Sequence, residues 1–134
     1  MVRDGEGLED TTGGVEQVGS NGEKQIARML SRYGVRHVYE YPVAVRDRGK
    51  VRVWYPDFWL PEYAIAIEYV GGISNRDYAA GIEHKRDIYR DAGVACVFVG
   101  TDMSNGYWPA RIMRQMRDIL AERMARFDSL EKDL

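Results

Sequence analysis

The sequence predicts one domain of the α/β class, and three observations predict it. Apolar residues recur at helical spacing in three segments and at strand spacing, or as short unbroken runs, in four. These segments follow the order helix, three strands, helix, strand, helix, with turn residues between them. With 134 residues, 45% of them hydrophobic and 11% aromatic, the chain can fill one sizeable core.

Residues 1–19, "MVRDGEGLEDTTGGVEQVG", are Gly-rich, acidic and aperiodic, the composition of a flexible tail. Structure is expected to begin at Ser20, where Ser20 and Glu23 match a capping box. Ile26, Met29, Leu30 and Tyr33 mark the apolar face of that helix, and Gly34 stands at a typical C-terminal cap position. "RHVYEYPVAV" reads as a strand, "RDRGK" as a turn and "VRVWYPDFWL" as a second strand. "PE" turns the chain into a third, "YAIAIEYV". A helix is predicted over about 76–91, closed by Gly93, and "VACVFVG" has the pattern of a strand buried on both faces. The last helix is predicted from Tyr107 to Arg126, with its stripe through Trp108, Ile112, Met116, Ile119 and Leu120. Residues 128–134 read as an acidic C-terminal tail, leaving 20–127 as the domain, and no internal repeat is present.

Charge and cysteine content narrow the function classes. The net charge of −2 is an average over unlike parts: residues 1–23 carry six acids against Arg3 (−5), and 128–134 carry three against Lys132 (−2). The body between them is therefore +5 and holds 17 of the 19 Lys and Arg, which suits a phosphate-bearing partner. The single cysteine, Cys96, excludes a disulfide framework and a cysteine-rich zinc site, and reads as a buried inert thiol. No apolar run approaches the ~20 residues of a membrane span and no signal peptide opens the chain, so a cytoplasmic protein is expected.

Two acids stand out inside "WYPDFWLPEYAIAIEYVGG". Asp57 and Glu68 lie in apolar strands, where an unpaired carboxylate is costly. Glu68 shares a strand face with Ala64, Ala66 and Val70, whose small side chains leave room, while Ile65, Ile67 and Tyr69 fill the other face. A hairpin turn centred on Pro61 and Glu62 would set the acids diagonally on one face, about 7–8 Å apart, and one centred on Glu62 and Tyr63 would set them directly opposite. The register between these would separate them. Neighbouring carboxylates repel unless a cation lies between them. A proton can serve, raising one pKa, and a hard divalent ion with oxygen ligands serves better. The plainer alternative is two solvated acids on an open sheet face.

Two further residues aim at the same place. Glu23 can act both as capping partner of Ser20 and as a carboxylate directed at the same ion. In the second helix Tyr78, Ile82, Lys85, Tyr89 and Ala92 form one stripe, with a lysine in its middle. Either its stem packs while its ammonium reaches solvent, or the ammonium points into a wet cleft beside the acids.

On these residues the chain resembles the PD-(D/E)XK nuclease superfamily, from about Ser20 to Val99. The resemblance rests on the element order, the acid in the first helix, "PDF" in one strand, "IEYVGG" in the next and "KRDIY" in the following helix. It is nearest to the small single-domain branch of very-short-patch repair endonucleases and helicase-associated nuclease modules. It implies a restriction-endonuclease-like αβββαβ core, a mixed central sheet flanked by helices, here with an added C-terminal helix. It also implies a Mg²⁺- or Mn²⁺-dependent endonuclease cutting phosphodiesters, with DNA as the expected partner. By position, Pro56-Asp57 matches the family's "PD", Glu68 its second acid and Glu23 its first-helix acid. The implied metal ligands are Asp57, Glu68, Glu23 and the backbone carbonyl of Tyr69. The family's lysine stands two residues after the second acid, where this chain has Val70. Lys85 is then the substitute expected to orient or deprotonate water, completing the catalytic set Asp57, Glu68, Lys85 and Glu23.

Basic residues in the turn (Arg46, Arg48, Lys50, Arg52) and on the last helix (Arg111, Arg114, Arg117) are candidates for phosphate contacts. Glu40 either extends the site or is a solvated strand acid, the second being favoured. His37 and His84 lack ligand-like spacing, although His84 adjoins Lys85, and Trp54, Phe58 and Trp59 read as packing. Modest charge and short length lead us to expect a second copy or a larger nuclease or helicase assembly as a working partner. Two rival readings remain: a catalytically silent nuclease fold that binds nucleic acid, and a small interaction module with incidental acids.

Overall fold

A computed structural model describes residues 21–71, 76–100, 103 and 106–134, with 76–79 as backbone only. The predicted tail 1–19 and the Ser20 cap lie outside these residues, as does the side chain of Tyr78. The elements are α1 (Asn21–Arg32), β1 (Val38–Tyr39), β2 (Val43–Asp47), β3 (Lys50–Trp54), β4 (Phe58–Leu60), β5 (Ile65–Tyr69), α2 (Arg76–Asp91), β6 (Ala95–Val99) and α3 (Trp108–Lys132). Among the described residues, no helix is long and apolar enough to cross a membrane.

Both long strands read from the sequence are broken, each at a proline. Pro42 and Pro56 lack the N–H that a ladder needs. Glu40, at φ +55°, turns the chain out of β1 before Pro42, and Tyr55-Pro56-Asp57 separates β3 from β4. The outer pieces pair with each other as a two-stranded ribbon, β2–β3, while the inner pieces join a four-stranded sheet of order β1-β4-β5-β6. Its first three strands are antiparallel neighbours, and β6 runs parallel to β5 after the α2 crossover. The ribbon closes on Arg48 and Gly49, both at positive φ, between the paired Asp47 and Lys50. That is the two-residue turn whose twist matches a hairpin.

The sheet separates two apolar layers. On one face Ile65, Ile67, Val97 and Val99 meet Ile26, Met29 and Leu30 of α1 and Ile112 and Met116 of α3. On the other, Ala66 and Cys96 meet Val43 and Val45 of the ribbon and Ile88 and Tyr89 of α2. A helix of 12 residues is marginal by itself. Fully burying a side chain such as Ile26 or Leu30 is worth about 1.5–3 kcal/mol, so packing holds α1 in place.

Several sequence expectations change in detail. Tyr33 is exposed, and α1 buries Ala27 instead, because the helix ends at Arg32, before Tyr33. Ala92, just past the end of α2, is exposed, and Ile88 takes the buried place. β6 is an edge strand, so Ala95 and Phe98 are only half-buried. Residues 128–134 do not form a separate tail: α3 continues to Lys132. Gly34 and Gly93 do end their helices. The Val35 and Val94 N–H groups reach back five residues to Leu30 and Tyr89, with the glycines left-handed between.

The β4–β5 register pairs Phe58 with Ile67, Trp59 with Ala66 and Leu60 with Ile65. Continued by one residue, it sets Asp57 opposite Glu68. Its loop, Pro61 to Ala64, holds Ala64 at φ +49°, which costs about 1–2 kcal/mol for a residue with a Cβ. The Arg123 guanidinium of α3 offsets this by donating to the carbonyls of Tyr63 and Ala64, the latter at 2.9 Å. Arg123→Ala should therefore destabilise the fold by about 1–3 kcal/mol, read as a lower urea midpoint with an unchanged slope.

Candidate active site

The break at Pro56 and the hairpin register together build the site. Asp57 stands where β4 begins, its backbone carbonyl accepting the Glu40 N–H (3.2 Å) and its Oδ2 accepting the Tyr69 N–H (2.7 Å). Glu68, on the neighbouring strand, is 7% exposed. It projects from the Ala66 face toward α2, into the room that small side chain leaves. Both of its oxygens are engaged: Lys85 Nζ donates to Oε2 at 2.9 Å and the Tyr89 hydroxyl donates to Oε1 at 3.1 Å.

Glu23 comes to the same place from the start of α1, where its carboxyl hydrogen-bonds that of Asp57. The Tyr69 ring packs directly against Gly22, leaving no space for a Cβ there. A bare backbone at Gly22 is what lets the first turn of α1 come this close to the end of β5.

The electrostatics show how unwelcome the negative charge is. Burial chiefly, then the Glu23 and Glu68 carboxylates, push the Asp57 pKa up to about 7, against the lowering effect of the Tyr69 N–H. Burial opposes charge on Lys85, but Glu68 and then Asp57 outweigh it and raise the lysine's pKa. Burial and Glu68 likewise raise the Tyr89 hydroxyl and the Cys96 thiol, so both stay protonated. Cys96 is a buried free cysteine, as its apolar run suggested.

Lys85 is thus tied to Glu68, with its side chain about half exposed (49%). The stem snorkels and the ammonium meets the acid, so the two alternatives weighed from sequence coexist. A proton on Asp57 and the Lys85 ammonium are the cations that offset the acids. Among the described residues, no group of three His, Cys, Asp or Glu is disposed to hold a metal ion. The donor chemistry nevertheless fits a hard divalent ion. Mg²⁺ is typically held by one or two carboxylates with water and substrate oxygens completing the shell, and does not need an all-protein cage.

The two basic groups do not converge. Val43 and Val45 of the ribbon pack with Ile88 and Tyr89 of α2, Trp54 meets Tyr89 edge to face, and His84 Nε2 lies 3.1 Å from Asp47 Oδ1. Arg46, Arg48, Lys50 and Arg52, all exposed, therefore flank the face that carries Glu68 and Lys85. Arg111, Arg114 and Arg117 are on α3, which covers the opposite face. Glu40 is buried, not solvated, because its left-handed turn draws it against Asp57. His37 is fully buried, its Nδ1 3.0 Å from the Val35 carbonyl oxygen. Of the aromatic residues, Phe58 is core and Trp59 stacks on Tyr41.

Two roles escaped the sequence reading. The Tyr89 hydroxyl bond to Glu68 was signalled by its place four residues beyond Lys85 on one stripe. Arg123, which holds the register-setting turn, has no local signal at all. No family model, curated protein or solved structure matches the chain.

Proposed function

We propose that the protein is a metal-dependent nuclease that hydrolyses phosphodiester bonds in DNA. The observation that carries this reading is the meeting of Asp57 and Glu68 at adjacent strand positions, with the Lys85 ammonium 2.9 Å from Glu68. Packing alone gives no reason to collect buried acids that push one pKa to about 7. Groups tuned in this way are characteristic of chemistry. The sheet order and the α2 crossover support a restriction-endonuclease-like core, with the β2–β3 ribbon and α3 as additions.

Asp57 and Glu68, with the Tyr69 carbonyl, would hold Mg²⁺ or Mn²⁺, and Glu23, hydrogen-bonded to Asp57, would support the first of these acids. Bound there, the ion would polarise the scissile phosphate and lower the pKa of a water. Lys85, its pKa already raised, keeps its proton at neutral pH. It is therefore suited to offsetting charge on the phosphate and orienting water, not to acting as the base. Tyr89 would hold the Glu68 carboxylate in place through its hydroxyl. The ribbon arginines and lysine would position the backbone of the nucleic acid without reading its sequence.

A second reading keeps one observation on its side. Val70 occupies the family's lysine position, and the described residues hold no three-acid metal group. Both favour a nuclease-like module that binds nucleic acid without cutting it. Labelled duplex, branched and single-stranded DNA and RNA, incubated with Mg²⁺, Mn²⁺ or EDTA, separate the two. Cutting that needs the metal is the expected result. Binding that survives EDTA, with no cutting under any condition, would favour the silent module.

A further inference from the structure

From Met124 onward α3 leaves the body, and every residue to Leu134 is exposed. Its surface there is not polar: Met124 is 61% exposed, and Phe127 and Leu130 are each 65% exposed. Met113, Leu120 and Phe127 recur at seven-residue spacing, with Met124 and Leu130 between and beyond them. That is the repeat of a helix seam. Along the first half, the seam runs beside the stripe of Ile112, Met116 and Ile119 that packs on the sheet. Beyond Arg123, which pins the helix to the β4–β5 turn, the seam residues Met124, Phe127 and Leu130 are all exposed.

We propose that this seam is an interface between two copies of the chain, packed with their α3 helices antiparallel. The charge pattern selects both the partner and the direction. Residues 108–126 carry Arg111, Arg114, Arg117, Arg123 and Arg126 against Asp118 and Glu122, a net of +3. Residues 127–134 carry Lys132 against Asp128, Glu131 and Asp133, a net of −2. An antiparallel pair sets each basic half against the acidic half of the second copy, whereas a parallel pair stacks like charge on like. The same alignment places Leu120 against Phe127 of the second copy and Arg117 near its Glu131. The acidic end disfavours a nucleic acid or an anionic membrane surface as the occupant. The pairing is self-complementary, so it closes at two copies.

Sedimentation velocity on the full chain over a concentration series tests this, with Phe127→Glu and Leu130→Glu beside the unaltered protein. Both residues are exposed, so both variants should fold, as circular dichroism melts would confirm. A dimer is expected for the unaltered chain, with each variant raising the dissociation constant at least about thirtyfold. Direction is read by disulfide formation between cysteine variants. Leu120→Cys mixed with Phe127→Cys should cross-link readily, and Leu120→Cys alone should not. A monomer at every accessible concentration, a dimer indifferent to both glutamates, or efficient cross-linking of Leu120→Cys to itself would each overturn the proposal.

Discussion

Asp57→Asn should abolish cleavage and stabilise the fold in one substitution. The loss follows from removing a ligand charge that an amide cannot replace: activity should fall by more than about a hundredfold. The gain follows from the acid's environment. In the folded chain its pKa is about 7, against 3.8 for an ordinary aspartate, so between those values the folded state binds the extra proton. Stability then falls as pH rises through this window, because the unfolded chain releases that proton more readily. Asparagine avoids the cost and can still accept the Tyr69 N–H. With EDTA present, the variant should melt about 3–8 °C above the unaltered protein at pH 8, and close to it at pH 4. Calorimetry at the two pH values reads the difference, and an inactive but equally stable or less stable variant would show that Asp57 is not the strained group.

Lys85→Met should show the opposite balance, with a large kinetic effect and a small thermodynamic one. The ammonium is half exposed, so its pair with Glu68 is screened and contributes no more than about 1 kcal/mol to stability. In a phosphate-bound site, from which water is excluded, the same charge is worth far more. Metal-dependent cleavage should fall by about 10²–10³. Lys85→Arg should recover part of it, since charge is restored but the guanidinium cannot reproduce a point donor. Turnover without substrate saturation, measured for both variants, checks this. A Lys85→Met variant cutting at the unaltered rate would remove the lysine from the mechanism and leave the metal site standing.

The acids were legible because strands alternate and hairpins have a constant residue sum. Those two rules alone brought Asp57 and Glu68 together in two of three registers, and the structure has the directly opposed one. Lys85 was legible through helical spacing. What the sequence hid lay at its prolines. Pattern alone ran the strands through Pro42 and Pro56, whereas each lost ladder donor splits a strand and frees the outer half to form the ribbon. The burial of Glu40 is hidden for a related reason, since a left-handed turn at a non-glycine residue leaves no trace in hydrophobic periodicity. The reach of α3 to Lys132 is masked by the acidic run 128–134, whose charge hides the apolar residues that continue the helix.

The central claim is that these acids are assembled for a divalent cation. Calorimetric titration of Mn²⁺ into the unaltered protein, Asp57→Asn and Glu68→Gln at pH 8 addresses it without requiring a substrate. The account predicts site-specific binding to the unaltered chain that is lost in both variants. Equal binding to all three, or none to the unaltered protein, would contradict it.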